Sequence, residues 1–118
     1  MFQRRTRRFA LEVIRLVERL PSTRTSDVIG RQILRSATSV GANYRAACRA
    51  KSPADFIAKM GIVEEEADEC LYWLDLLSDA GIIPQSDLTP LTREAGEILA
   101  MKVASIRTAR ARRTEQRR

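Results

Sequence analysis

Apolar residues return every three or four positions in four separate stretches of this chain, and nowhere do they alternate in twos. That rhythm belongs to helices with one buried stripe, whereas alternation would mark half-buried strands. The first stretch predicts a helix from about Arg5 to Leu20, with Phe9, Val13, Leu16, Val17 and Leu20 on its stripe and Pro21 and Ser22 ending it. The second helix follows the N-cap candidates in Thr25–Asp27 and runs to about Ala50, with Ile33, Ala37, Val40, Tyr44 and Ala47 inward. Gly30 and Gly41 lie inside it. Each costs roughly 1 kcal/mol relative to Ala, a cost expected where another helix approaches closely.

The third helix has the sharpest boundary, with Ser52 as N-cap, Pro53 at the first helical position and Asp55 at the third. Phe56, Met60, Val63, Ala67, Cys70, Leu74 and Leu77 then step by four and three, the seam of a helix packed between antiparallel neighbours. Gly81 and Pro84 stop it. The fourth starts near Leu88–Pro90 and carries Leu91, Ala95, Ile98, Leu99, Val103 and Ile106 inward. Long helices with short connections give an all-α, antiparallel up-down-up-down four-helix bundle over residues 1–106. Residues 107–118 are basic and poor in apolar side chains, so this end is expected to fray.

Charge changes the picture. Residues 1–51 hold 12 Lys/Arg against 3 Asp/Glu, residues 52–98 hold 2 against 11, and residues 99–118 hold 7 against 1. The modest net charge of +6 therefore hides blocks of +9, −9 and +6. Blocks of one sign mark interaction surfaces more than fold determinants. On the second helix Arg24, Arg31, Arg35, Arg45 and Arg49 lie opposite the apolar stripe, along a row of about 37 Å. Arginine suits phosphate recognition, and antiparallel packing brings the basic N- and C-terminal segments to one end of the bundle. Arg4, Arg5, Arg7 and Arg8 join the row as candidate nucleic-acid contacts. Binding of this kind would be directed at the backbone, sensitive to salt and weakly selective for sequence.

Between stripe and row on the second helix, Gln32, Ser36, Ser39 and Asn43 recur at spacings of four, three and four. Small polar side chains predict a tight helix or subunit seam, with Asn43 and Tyr44 making specific hydrogen bonds. On the third helix Glu64, Glu65, Asp68, Asp75 and Asp79 point outward, while Glu66, Glu69 and Trp73 lie nearer the seam. Glu66 and Glu69 are expected to pair with Arg31 or Arg35.

Enzyme chemistry finds little footing. Paired carboxylates in a bundle raise the possibility of a di-iron centre, but such centres use Glu-x-x-His motifs and this chain contains no histidine. There is no nucleophile elbow around Ser36, Ser39 or Cys48 and no glycine-rich phosphate loop. The reading is therefore non-enzymatic, with no metal and no cofactor. Cys48 and Cys70 lack CxxC spacing and read as packing residues. Glu12, Arg15 and Glu18 interrupt what would otherwise look like a signal peptide, and no apolar run is long enough for a membrane span, which places the protein in the cytoplasm.

The run Gly30-Arg31-Gln32-Ile33-Leu34-Arg35-Ser36-Ala37-Thr38-Ser39-Val40-Gly41-Ala42-Asn43-Tyr44 resembles the signature of a family of small bacterial four-helix bundles known as S23 ribosomal protein or 23S rRNA intervening-sequence protein. Ser52-x-x-Asp55-Phe56-Ile57-x-Lys59 and Glu66-Ala67-x-Glu69-x-x-x-Trp73-Leu74 resemble its second and third blocks. The resemblance implies a ring-like homopentamer. It extends to the accessory proteins of diversity-generating retroelements, which implies RNA or DNA and a reverse transcriptase as partners. Many members carry an acidic residue soon after the asparagine, where this chain has Ala46 and Ala47, leaving Arg45 and Arg49 less neutralised. Two functions are consistent with these features. One is a nucleic-acid-binding accessory protein; the other is an interaction scaffold in which the arginine row of one subunit docks on Glu64, Glu65, Asp68 and Asp75 of the next.

Overall fold

A computed structural model describes residues 2–116, apart from the side chains of residues 102, 103 and 116. Four helices follow in order: α1 Phe2–Glu18, α2 Arg24–Cys48, α3 Pro53–Asp79 and α4 Gln85–Gln116. Each packs on its neighbour in sequence, and α1 closes against α4 over a short stretch, giving an antiparallel bundle with extents of 56 × 23 × 20 Å.

The boundaries have local causes. Thr23, not the Thr25–Asp27 cluster, caps α2: its side chain accepts from the Ser26 N–H at 3.1 Å. Ser52 caps α3 by accepting from the Asp55 N–H, while the Asp55 carboxylate accepts from the Lys51 N–H just before the cap, so two backbone donors at the helix start are satisfied. α3 ends on Gly81 at φ +70°. There the Ile82 and Gly81 N–H groups bond to the Leu77 and Ser78 carbonyls, an arrangement that requires a left-handed residue and so favours glycine. α4 begins earlier than the sequence suggests and contains Pro90. It is also helical past Ile106 as far as Gln116, through an Ala- and Arg-rich stretch that no Pro or Gly interrupts; residues 117 and 118 of the segment expected to fray lie outside the described residues.

The core is the sum of the four stripes. Phe9, Val13 and Leu16 from α1 meet Ile33, Ala37 and Val40 from α2, Val63, Ala67, Cys70, Leu74 and Leu77 from α3, and Leu88, Leu91, Ala95 and Ile98 from α4. A smaller cluster of Ala47, Met60 and Ile106 closes the end that holds the α1 N-terminus. Val17, Leu20, Tyr44, Phe56 and Leu99 are only half-buried, and the inward placement of Val103 lies outside the described side chains. Each fully buried aliphatic side chain contributes about 1.5–3 kcal/mol of transfer free energy.

Candidate nucleic-acid interface

Helix α2 divides its arginines by the element each faces. Arg24, Arg31, Arg45 and Arg49 are exposed, and no ion pair engages them among the described residues. Arg31 Nε reaches only the Asp27 carbonyl, at 3.4 Å. Arg35 behaves differently. It donates to Glu66 at 2.8 Å and to Glu69, which takes it out of the row of candidate phosphate contacts. This confirms the expected pairing of both glutamates with an α2 arginine and splits the cationic row in two.

Ser36 completes that junction. It is fully buried, donates to Glu69 at 2.7 Å and accepts from Arg35 at 3.1 Å. The serine bond, followed by the arginine, holds the Glu69 carboxyl below the usual range, against the opposing effect of burial. The Trp73 indole N–H sits close enough to add slightly to this, but without hydrogen-bond geometry. Of the four polar flank residues, Ser36 is the one seen bonding to α3. Asn43 makes its specific hydrogen bonds within α2, donating to the Ser39 carbonyl and hydroxyl, both at 2.9 Å. Gln32 is half-buried beside them.

Arg5 is a second correction. Its guanidinium grips Glu94 through two bonds of 2.7 Å and also reaches Glu97, tying α1 to α4. The bidentate fork is the geometry in which arginine binds carboxylate most specifically. It depresses the Glu94 pKa and raises that of Arg5. The two partners lie 89 residues apart, so no local spacing in the chain announces the pair.

Arg4, Arg7 and Arg8 remain exposed on α1 with no ion pair among the described residues, although the Arg8 charge slightly stabilises the Glu94 carboxylate. They lie in the first two turns of a helix that has no acidic residue in its first turn. Cations there oppose the helix dipole, at a few tenths of a kcal/mol each, so helix stability does not account for them. Arg45 and Arg49 sit at the C-terminal end of α2, where the dipole welcomes them.

Arg7, Arg45 and Arg49 share a groove of about 560 Å³ between α1 and α2. Gln3, Thr6, Ala10, Thr38, Gly41 and Ala42 complete its lining, with neither a carboxylate nor an aromatic ring among them. The hydroxyls of Thr6 and Thr38 are turned to backbone carbonyls at 3.1 and 2.8 Å, leaving the guanidinium groups as its dominant polar chemistry. Thr6, Thr38 and Gln3 were not candidates from sequence; their angular positions on the two helices are the only signal that could have found them.

The groove opens at the basic end of the molecule. Antiparallel packing puts it at the same end of the bundle as the C-terminal part of α4, where Arg107, Arg110 and Arg112 are exposed. Tyr44 lies nearby in edge contact with Phe2 at 4.7 Å, its pKa pushed up to about 12 by burial and by Cys48. Cys70 is buried in the core, but Cys48 is exposed, correcting its reading as a packing residue. Among the described residues no group of three or more His, Cys, Asp or Glu side chains is placed to hold a metal ion. No helix there is long and apolar enough to cross a membrane.

The family model of the 23S rRNA-intervening sequence protein matches residues 2–104. The chain belongs to this family. A crystal structure of a protein of unknown function from the S23 ribosomal protein family of Bacteroides thetaiotaomicron superposes with a TM-score of 0.84 at 35% identity. The match covers 90% of this chain and 98% of that one. No curated protein matches the chain. Membership in the 23S rRNA-intervening sequence protein family accords with the four-helix bundle and with the blocks around Gly30–Tyr44, Ser52–Lys59 and Glu66–Leu74.

Proposed function

We propose that this protein is a non-enzymatic, nucleic-acid-binding accessory protein of the cytoplasm that acts as a homo-oligomer, a pentamer by family resemblance. The observation that carries the reading is the α1/α2 groove, where Arg7, Arg45 and Arg49 converge with no carboxylate to neutralise them. Arg24 and Arg31 on α2 and Arg4 and Arg8 on α1 extend the cationic surface, while Arg5 and Arg35 serve the fold. Such a surface suits phosphates, and the family's association with rRNA intervening sequences points to RNA as the first ligand to try. The retroelement resemblance points to a reverse transcriptase as the protein partner to test.

The test is a titration of the protein against a structured RNA at several salt concentrations. Binding that weakens steeply with salt is expected; absence of binding at low salt, or affinity indifferent to salt, removes the reading.

A second reading rests on α3 and α4, where Gly61, Glu64, Glu65, Asp68 and Leu99 line an acidic groove of about 540 Å³. Arginines of a neighbouring copy would dock there and assemble the oligomer. Light scattering of the Arg24→Glu/Arg31→Glu variant separates the two, since dissociation with retained RNA binding supports assembly through these charges.

A further inference from the structure

We infer that the ligand is duplex nucleic acid, one strand of which runs its phosphate backbone through the α1/α2 groove while the duplex continues along α2 toward Arg31 and Arg24. This rests on the nucleic-acid reading above and adds the form of the ligand and its path.

The groove's chemistry favours a paired strand. Sites for single strands combine a cationic channel with aromatic rings on which unpaired bases stack. No aromatic residue lines this groove. The most exposed ring, Tyr72, belongs to α3 and is in edge contact with Trp73 at 5.0 Å. Bases already stacked within a duplex need no such platform. Arg45 and Arg49 stand one turn apart, a rise of about 6 Å, comparable to the step between successive phosphates of one strand. Arg7 faces the same channel from α1, so a strand lying in it would meet cations on both walls.

The division of the cationic row supplies the path. With Arg35 held by Glu66 and Glu69, the unpaired arginines of α2 form two clusters, Arg24 with Arg31 and Arg45 with Arg49. Fourteen residues separate Arg31 from Arg45, or about 21 Å along a rigid helix. Two clusters at a fixed spacing reward a stiff polyanion, whose phosphates recur at set intervals on one face, more than a flexible strand that must be ordered first. The clusters are unequal. Arg31 shares its surroundings with Glu18 and Asp27, whereas the groove around Arg45 and Arg49 is free of carboxylates. The groove is therefore the main contact and the Arg24/Arg31 end the lesser one.

Gly41 gives independent support. A Cβ there would stand 3.7 Å from the Thr6 carbonyl oxygen, which is ordinary contact, so helix packing does not require a glycine. Its missing side chain leaves the floor of the groove open for a backbone to approach.

Fluorescence anisotropy with the full chain tests this, using a short RNA duplex, the DNA duplex of the same sequence, and their separated strands. Duplex binding about tenfold tighter than either strand is expected, with the Arg45→Glu/Arg49→Glu variant losing at least about tenfold and its log–log salt slope falling by about two. The Arg24→Glu/Arg31→Glu variant should lose only about threefold. All four residues are exposed, and matching thermal melts confirm that the variants remain folded. Preference for RNA or for DNA distinguishes A-form from B-form ligands, and either one supports the inference. Equal or tighter binding of single strands, or salt-sensitive duplex binding unaffected by Arg45→Glu/Arg49→Glu, overturns it while leaving nucleic-acid binding intact. Failure of every probe to bind at low salt overturns both.

Discussion

Replacing Gly41 with alanine should stabilise the protein, and the same change at Gly30 should gain much less. Both glycines lie inside α2, and removing either relieves a helix-propensity cost of about 0.8–1 kcal/mol. What differs is the space around each. The new methyl at position 41 would meet only the Thr6 carbonyl and hydroxyl at 3.7–3.9 Å, so nothing offsets the gain. At position 30 it would lie 3.2 Å from Leu20 Cδ1 and 3.4 Å from Val17 Cγ1. Leu20 would have to give by a few tenths of an ångström, Val17 being at the edge of ordinary contact, and this crowding should take back half of the gain or more. For a chain of this size, 1 kcal/mol corresponds to a rise of roughly 3–5 °C in Tm. Circular dichroism melts at one fixed protein concentration measure it, since assembly makes Tm depend on concentration. The Gly41→Ala methyl also enters the groove floor, so duplex affinity should fall even as Tm rises. A lower Tm for Gly41→Ala, or an equal gain for Gly30→Ala, would refute the assignment of Gly30 as the packing glycine and Gly41 as the open one.

Two further outcomes follow from the buried polar contacts. Ser36→Ala removes the main influence holding Glu69 down, so an NMR titration should show its pKa rising toward the ordinary value of 4.5; an unmoved midpoint contradicts the contact. Because the folded pKa of Glu69 is depressed, its contribution is complete above about 4.5 and is lost as pH falls through the lower folded value, so Ser36→Ala should lose less stability than the parent on acidification. Arg5→Ala cuts the ion-pair tie between α1 and α4 and should speed amide exchange along α1 while leaving the centre of α3 protected; unchanged α1 protection would show that packing on α2 alone holds the helix.

Much of the fold was legible because helix periodicity and capping act within a few residues of one another. The seam of α3 from Met60 to Leu77, its Ser52 cap and its Gly81 stop could all be read locally. The separation of apolar and cationic faces on α2 followed from the same rhythm, and the antiparallel order of the helices placed the basic segments at one end. Tertiary structure alone decided which cations remain available. Arg5 and Arg35 look like their neighbours in the chain, yet each is claimed by carboxylates 31 to 92 residues away. Gly30 and Gly41 are likewise indistinguishable until α1 lies against them, closely at one and loosely at the other. Pairing, crowding and an open groove depend on how one helix is rotated against the next, and no repeat within a single helix encodes that angle.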